Sequence, residues 1–242
     1  MIDAPVALLD LARSRANPEG HPTVVALAGG VSVGKSVLAA AVAARAVDRG
    51  TRVEVVSTDG FLRPNAWLSD HGLLAHKGFP ETYDVDALRA FVEQVRAGTT
   101  DVAVPVYSHV IYDVVPGDER VLPPADVVIV EGVNALSALG GRIELGIYLD
   151  APEDQLETWY VERFHALCDE AVDDEASFYR TFVGMDSAQI DAIARSVWRD
   201  VNLVNHREHI EPSRAHADCV VVKGAGHEVV AIEVREHDAP AD

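Results

Sequence analysis

The sequence predicts an α/β protein with a mainly parallel sheet flanked by helices and a helical elaboration in its C-terminal half. Three observations predict it. Val24 to Ala28, Val53 to Ser57, Val127 to Val130 and Ile143 to Leu149 are short apolar runs with the length and β-branched content of buried strands. Helical patterns follow the first two, at Val37 to Val47 and Val85 to Ala97, as the crossovers of a parallel sheet require. Between the first strand and the first of these helices stands a glycine-rich stretch, Gly29-Gly30-Val31-Ser32-Val33-Gly34-Lys35-Ser36.

That stretch carries two glycines with four residues between them, then Lys and Ser, and it sits in the strand–loop–helix order of a P-loop NTPase fold. Such a loop binds through its backbone. Its glycines let successive N–H groups turn inward, and the helix N-terminus behind them, beginning at Val37, adds partial positive charge that favours a triphosphate such as ATP. Lys35 is then expected to reach the β- and γ-phosphates, and the Ser36 hydroxyl to bind Mg²⁺.

At 242 residues the chain fits a single domain, 1–242, with its helical elaboration at about 153–210. Twenty Lys and Arg against thirty-nine Asp and Glu give a net charge of −19, which repels a nucleic-acid backbone or an anionic membrane. Cys168 and Cys219 lie far apart without metal-ligand spacing, so neither a disulfide framework nor a zinc site is expected. Residues 1–17 lack a signal-peptide layout, and no apolar run has the length of a membrane span. The expectation is a soluble cytoplasmic protein.

Along the chain, Val6 to Ala12 reads as a short helix, with a loop through Asn17-Pro18-Glu19-Gly20 into the first strand. The helix after the glycine stretch stops near Gly50. Thr58-Asp59-Gly60-Phe61 ends the second strand, where ligands collect in an open α/β sheet, so Asp59 is a candidate base. Arg63 to Tyr83 reads as a long irregular segment of the kind that forms lids and binding loops.

Asp84 is an expected N-cap for the helix to Ala97, and Gly98 its stop. Val102 to Tyr107 reads as an edge strand around Pro105, and the spacing of Tyr107 and His109 puts them on one face of an extended chain. Glu131 follows the third buried run directly, where nucleotide enzymes hold a metal or its water. Helices are expected over Glu153 to Leu167, Phe178 to Val183 and Ser187 to about Val204, with an acidic solvated turn at Asp169 to Glu175. Cys219 to Val222 and Val229 to Val234 read as a hairpin around Gly224 to Gly226, and the tail beyond Glu236 as frayed.

Taken together, several of these segments resemble bacterial type I pantothenate kinase, a P-loop kinase of the phosphoribulokinase and uridine kinase-like superfamily. They are Thr58-Asp59-Gly60-Phe61, the run Lys77 to Asp84, the run Pro105 to Asp113, Glu131-Gly132-Val133-Asn134, Trp159-Tyr160 with Arg163-Phe164, and Pro212-Ser213-Arg214. The resemblance spans about Thr23 to Val234, in the family's order and spacing. It implies MgATP-dependent phosphorylation of the terminal hydroxyl of pantothenate, the first step towards coenzyme A, by a homodimer. It further implies Asp59 as the catalytic carboxylate, Lys35 and Ser36 on phosphate and Mg²⁺, and Glu131 in the metal shell. Arg163 matches the arginine that meets the transferring phosphate, and His227 a position near the adenine. Tyr107, His109, Tyr112, Tyr160 and Asn202 match positions lining the pantothenate pocket.

Ordinary readings stand beside these. Arg163 as a surface partner of Glu157 or Glu162, the tyrosines as packing residues with wet tips, and His227 as an exposed loop residue each need no catalysis. Trp67, Trp159 and Trp198 read as core. Ala40 and Leu167 depart from the family, where a basic and an aromatic residue are usual at the feedback site for coenzyme A. Two other functions stay open: a uridine-kinase-like hydroxyl kinase, for which the same loop, Asp59 and Glu131 would serve, and a nucleotide-binding regulator without catalysis.

Overall fold

The structure, a computed structural model, describes residues 2–16 and 20–235. The expectations for 17–19 and for the tail after Glu236 fall outside the described residues. Helix α1 (Ala4–Ser14) is capped by Asp3, whose carboxylate accepts from the Val6 N–H. It packs on α2 (Lys35–Val47), which follows β1 (Thr23–Gly29) through the glycine loop. Strand β2 (Val53–Ser57) leads into a helical turn at Thr58–Phe61, then α3 (Asn65–Asp70) and α4 (Val85–Arg96). Asp84 caps α4 by accepting from the Ala87 N–H at 3.0 Å.

Next come β3 (Ala103–Ser108), β4 (Asp113–Val121), β5 (Val127–Glu131), α5 (Ala135–Leu139), β6 (Leu145–Asp150) and α6 (Glu153–Glu170). Helix α7 (Ser187–Val197) opens on a capping box between Asp186 and Gln189 and runs on through wider π-type turns at Trp198–Asn202 and His206–Ile210. Strands β7 (Cys219–Lys223) and β8 (Val229–Val234) close the described chain.

The main sheet has the order β2-β5-β1-β6-β7-β8, parallel except for β8. Every residue of β1 and β5 is buried. The side chains alternate across the sheet, so that Val25, Leu27, Ile129 and Ile147 join α1 and α2 on one face. Val24, Ala26, Val128, Val130 and Tyr148 pack with α4 and α5 on the other. A third apolar cluster, Val161, Phe164, Cys168, Ile190 and Ala194, holds α7 against α6. This covering of both faces is what a parallel sheet demands.

Four expectations change. Arg63 to Tyr83 is not irregular throughout, since α3 and two short turns at 74–76 and 80–82 occupy much of it. Residues 113–121 form a strand that pairs antiparallel with β3 in a separate ribbon, and His109 lies in the turn of that ribbon beyond the extended chain. The helical path after Ser187 continues past Val204, through the π turns and a last helical turn, to His216. Trp67 is half-buried and stacks on His71 at 3.7 Å, whereas Trp159 and Trp198 are core.

Candidate active site

The register of the sheet assembles the site before any side chain is considered. Leu27 of β1 and Ser57 of β2 both pair with Glu131 of β5, so the glycine loop, Asp59 and Glu131 emerge side by side at the carboxyl edge. A cleft lined by Leu136, Ile143, His216 and Arg235 opens near the amino ends of β6 and β7, away from these residues.

The loop's conformation depends on residue type. Gly29 and Gly34 have φ of 150° and 92°, and Ser32 is left-handed at 62°. A Cβ on Gly29 would strike the Leu149 carbonyl, one on Gly30 would meet Leu156 Cδ1 at 2.7 Å and His206 Nδ1 at 3.3 Å, and one on Gly34 would meet Lys223 Nζ at 2.9 Å. The loop is therefore pressed from below by β6, α6 and the π-turned helix. Lys35 folds back over it, donating to the carbonyls of Gly30 at 2.9 Å and Gly29 at 3.2 Å. Burial lowers the Lys35 pKa, the carboxylates of Glu131 and Asp59 oppose that, and Arg163 adds to it.

Ser36 donates to Glu131 Oε1 at 3.0 Å, and Glu131 is 6% exposed. The two expected metal-shell oxygens are thus brought together. Both are hard oxygen donors, which suits Mg²⁺, and among the described residues no cluster of three or more His, Cys, Asp or Glu could cage a metal unaided. An ion held by Ser36 and Glu131 would keep water or phosphate oxygens as its remaining ligands.

Asp59 is half-buried in the turn after β2, where its N–H donates to Ser57 Oγ at 3.3 Å. Tyr83 brings its hydroxyl to 3.4 Å from Asp59 Oδ1. Burial, then the Asp59 charge, pushes the Tyr83 phenol well above its ordinary range. Across the cleft stand Tyr107, with its ring 5.1 Å from His109 and 6.4 Å from Tyr112, edge-to-face in both cases. Burial raises both tyrosine pKa values, and the field of Asp59 adds to each, which puts the rings near that carboxylate.

Tyr160 completes the wall, its pKa pushed up to about 12 by burial and then by Tyr179, against a hydrogen bond from Asn202. Arg163 is exposed and acts electrostatically on Lys35, Tyr112, Tyr160 and Tyr179. Among the described residues it makes no ion pair, and Glu157 is taken instead by Arg195 at 2.7 Å. The surface-pairing reading of Arg163 does not hold for Glu157.

His227 lies with its ring flat on Trp159, centroids 3.9 Å apart. Lys223 ties this pair to the loop, donating to the Val33 carbonyl at 2.8 Å and to His227 Nδ1 at 3.0 Å. Burial, then Lys223, lowers the His227 pKa, as expected for a ring nitrogen accepting from an ammonium. His227 as a whole is exposed.

Several residues of the site carry no signal in the sequence taken locally. Lys223 closes an apolar strand, Tyr179 stands in a short stretch with no motif of its own, and His206 and Asn205 fall in a polar helical stretch. Asn205 and His206 are nevertheless 4% and 5% exposed, and Asn205 Nδ2 donates to the Gly78 carbonyl at 2.8 Å. A buried polar residue late in a helix is a signal only once its partner is known.

This topology and loop define a class, the phosphate-loop kinases. Among solved structures, a putative fructose transport system kinase from Silicibacter has a TM-score of 0.69 at 24% identity, covering 90% of this chain and 96% of its own. A D-glycerate 3-kinase from Cryptococcus neoformans has a TM-score of 0.65 at 16% identity, covering 96% and 97%. At these identities the likeness concerns the fold.

No family model matches the chain. Curated relatives match about nine-tenths of the chain. The pantothenate kinase of Myxococcus xanthus is 40% identical over 230 residues, 89% of this chain and 72% of the relative, and that of Citrobacter koseri 36% over 234, 91% and 74%. The pantothenate kinase of Lacticaseibacillus casei is 40% identical over 225 residues. The chain belongs to the pantothenate kinase family.

Proposed function

We propose that the protein uses ATP to phosphorylate the terminal hydroxyl of pantothenate, giving 4′-phosphopantothenate for coenzyme A biosynthesis. The observation that carries this reading is Asp59, set at the end of β2 between the phosphate-loop lysine and the tyrosine wall. Asp59 orients the acceptor hydroxyl and takes its proton. Lys35 and Arg163 present positive charge where the transferred group's equatorial oxygens accumulate negative charge. Residues Gly29 to Val37 hold the phosphates, and the exposed His227 borders the nucleotide base.

Mg²⁺ held by Ser36 and Glu131 would supply further neutralisation of phosphate charge. Tyr107, His109, Tyr112, Tyr160 and Asn202 offer hydroxyl, imidazole and amide groups to an acceptor that carries an amide, hydroxyls and a carboxylate. We read 1–242 as one kinase domain with its helical elaboration at about 153–210, and as a homodimer, which light scattering checks. Among the described residues no helix is long and apolar enough to cross a membrane, and Cys168 and Cys219 are buried free thiols, which fits a cytoplasmic setting.

Exposed Ala40 on α2 and half-buried Leu167 on α6 offer neither a cation nor an aromatic ring to coenzyme A. Inhibition by micromolar coenzyme A is expected to be weak, and strong competition with ATP in the same assay would contradict this.

The test is ADP release with MgATP and a panel of pantothenate, pantetheine, uridine and no acceptor. Turnover that requires pantothenate is expected. Turnover with uridine alone would keep the phosphate chemistry and replace the acceptor, and tight ATP binding without turnover on any alcohol would favour a regulator.

A further inference from the structure

Lys77 begins the run Lys77-Gly78-Phe79-Pro80, which the chemistry above leaves unused. Its ammonium donates to Asn65 Oδ1 and to the Tyr112 carbonyl, both at 2.6 Å. It also lies 4.3 Å from the centre of the Tyr112 ring and 5.1 Å from that of Tyr107. These groups come from the start of α3, from β3 and from the turn between β3 and β4. Tyr112 closes that turn with φ of 54°, a conformation that a tyrosine keeps only where its surroundings hold it. Asn205, through the Gly78 carbonyl, and Thr82, accepting from the Gly78 N–H at 3.1 Å, fix the backbone beside Lys77.

We propose that Lys77 is a positioning residue whose ammonium charge holds Tyr107 and Tyr112 in the acceptor pocket, so that acceptor recognition requires Lys77 to stay protonated. The proposal rests on reading this cleft as the acceptor pocket of a kinase.

Charge is what makes the arrangement work. An ammonium is drawn to both ring faces and makes charge-assisted hydrogen bonds about twice as strong as neutral ones, and a neutral amine loses both advantages. Burial brings Lys77 down to about 8, with Asp113 and Asp59 opposing the fall. The titratable groups facing it are Asp59 after β2, Asp113 on β4, and Tyr107 and Tyr112, whose own ionisation is displaced upward. Lys35 and Lys223 are also lowered, but both serve the phosphate loop, so the KM for ATP reports them separately.

The experiment compares wild type, Lys77→Met and Lys77→Arg by direct detection of phosphorylated product from about pH 7 to about pH 9.5. For wild type the acceptor KM should rise on the order of tenfold as the charged fraction of Lys77 falls. Lys77→Met should show the raised acceptor KM at every pH with no alkaline limb. Lys77→Arg should restore a low KM and move the limb beyond the range. A flat wild-type acceptor KM, or a Lys77→Met enzyme with the wild-type KM and limb, overturns the proposal.

Hydrogen exchange on the free proteins at about pH 7 supplies a readout that needs no acceptor. Amides of 107–112 should exchange roughly tenfold faster in Lys77→Met, with the sheet strands unchanged, because local protection reports local opening. Equal rates in the ribbon turn overturn the proposal. Absence of pantothenate turnover at any pH would refute the kinase reading while the exchange result still decides the role of Lys77.

Discussion

Arg163 shows how a single residue can be read twice from the sequence and once from the structure. On a helix it looks like a partner for a nearby acid, yet it is exposed, makes no ion pair among the described residues, and bears on Lys35 and the tyrosines. Replacing it with alanine should leave stability within about 0.5 kcal/mol of wild type, because no buried contact is lost. The same change should lower kcat by about 10²-fold or more if it meets charge that develops during transfer. Thermal denaturation and steady-state kinetics on one preparation check both, and a kcat near wild type would return Arg163 to the surface. Local motifs in the sequence were enough to expect Lys35, Ser36 and Glu131 together, and the structure sets Ser36 on Glu131 and Lys35 over the glycine loop. Lys223, Asn205 and His206 were not legible in the sequence, because each matters through a distant partner or through burial alone, and Lys77, though it stood in a run that carried the resemblance, showed nothing there of its hold on Asn65 and Tyr112.

At the scale of elements, the buried strands and the helices between them were legible because burial on both faces leaves continuous apolar runs. Strand β4 was not. Its sequence, Asp113 to Val121, is largely polar and contains Pro116-Gly117, and half of it is exposed in a two-stranded ribbon with one partner. The helical extension to His216 was missed because His206 to Ile210 is polar except for Ile210, and π-type turns break the 3.6-residue period on which such readings rest. The ribbon turn is held from outside by the segment after α6. Phe178 donates its N–H to the Val110 carbonyl at 2.7 Å and stacks on Tyr112 at 4.9 Å. Phe178→Ala should raise the acceptor KM several-fold and leave the ATP KM unchanged, since Phe178 is 46% exposed and its ring packs on Tyr112, Tyr179 and Phe182. Equal changes in both constants would show that the segment supports the fold more generally.

For the whole molecule, all six tyrosines have raised pKa values, burial being the first cause for each. The folded state keeps their protons where the unfolded chain releases them. Stability from this source is therefore full below pH 10 and is lost as pH rises through the displaced values. Lys35, Lys77 and Lys223 act in the opposite sense, binding fewer protons when folded, so between about pH 8 and 10 their deprotonated folded forms add stability as pH rises. Urea midpoints should rise from about pH 8 to 10 and fall above it, the stability lost being on the order of a few kcal/mol. A steady decline beginning at pH 8 would contradict this assignment of charge.

The central claim is that one cleft, formed where β1, β2 and β5 end, moves a phosphoryl group to pantothenate with Asp59 as base. A single-turnover measurement tests it most directly: radiolabelled phosphate transferred from ATP to pantothenate by wild type and by Asp59→Asn, with ATP affinity measured on both. The prediction is transfer by wild type, a rate lower by about 10²- to 10⁴-fold in Asp59→Asn, and unchanged ATP affinity. Transfer by Asp59→Asn at the wild-type rate would contradict the account.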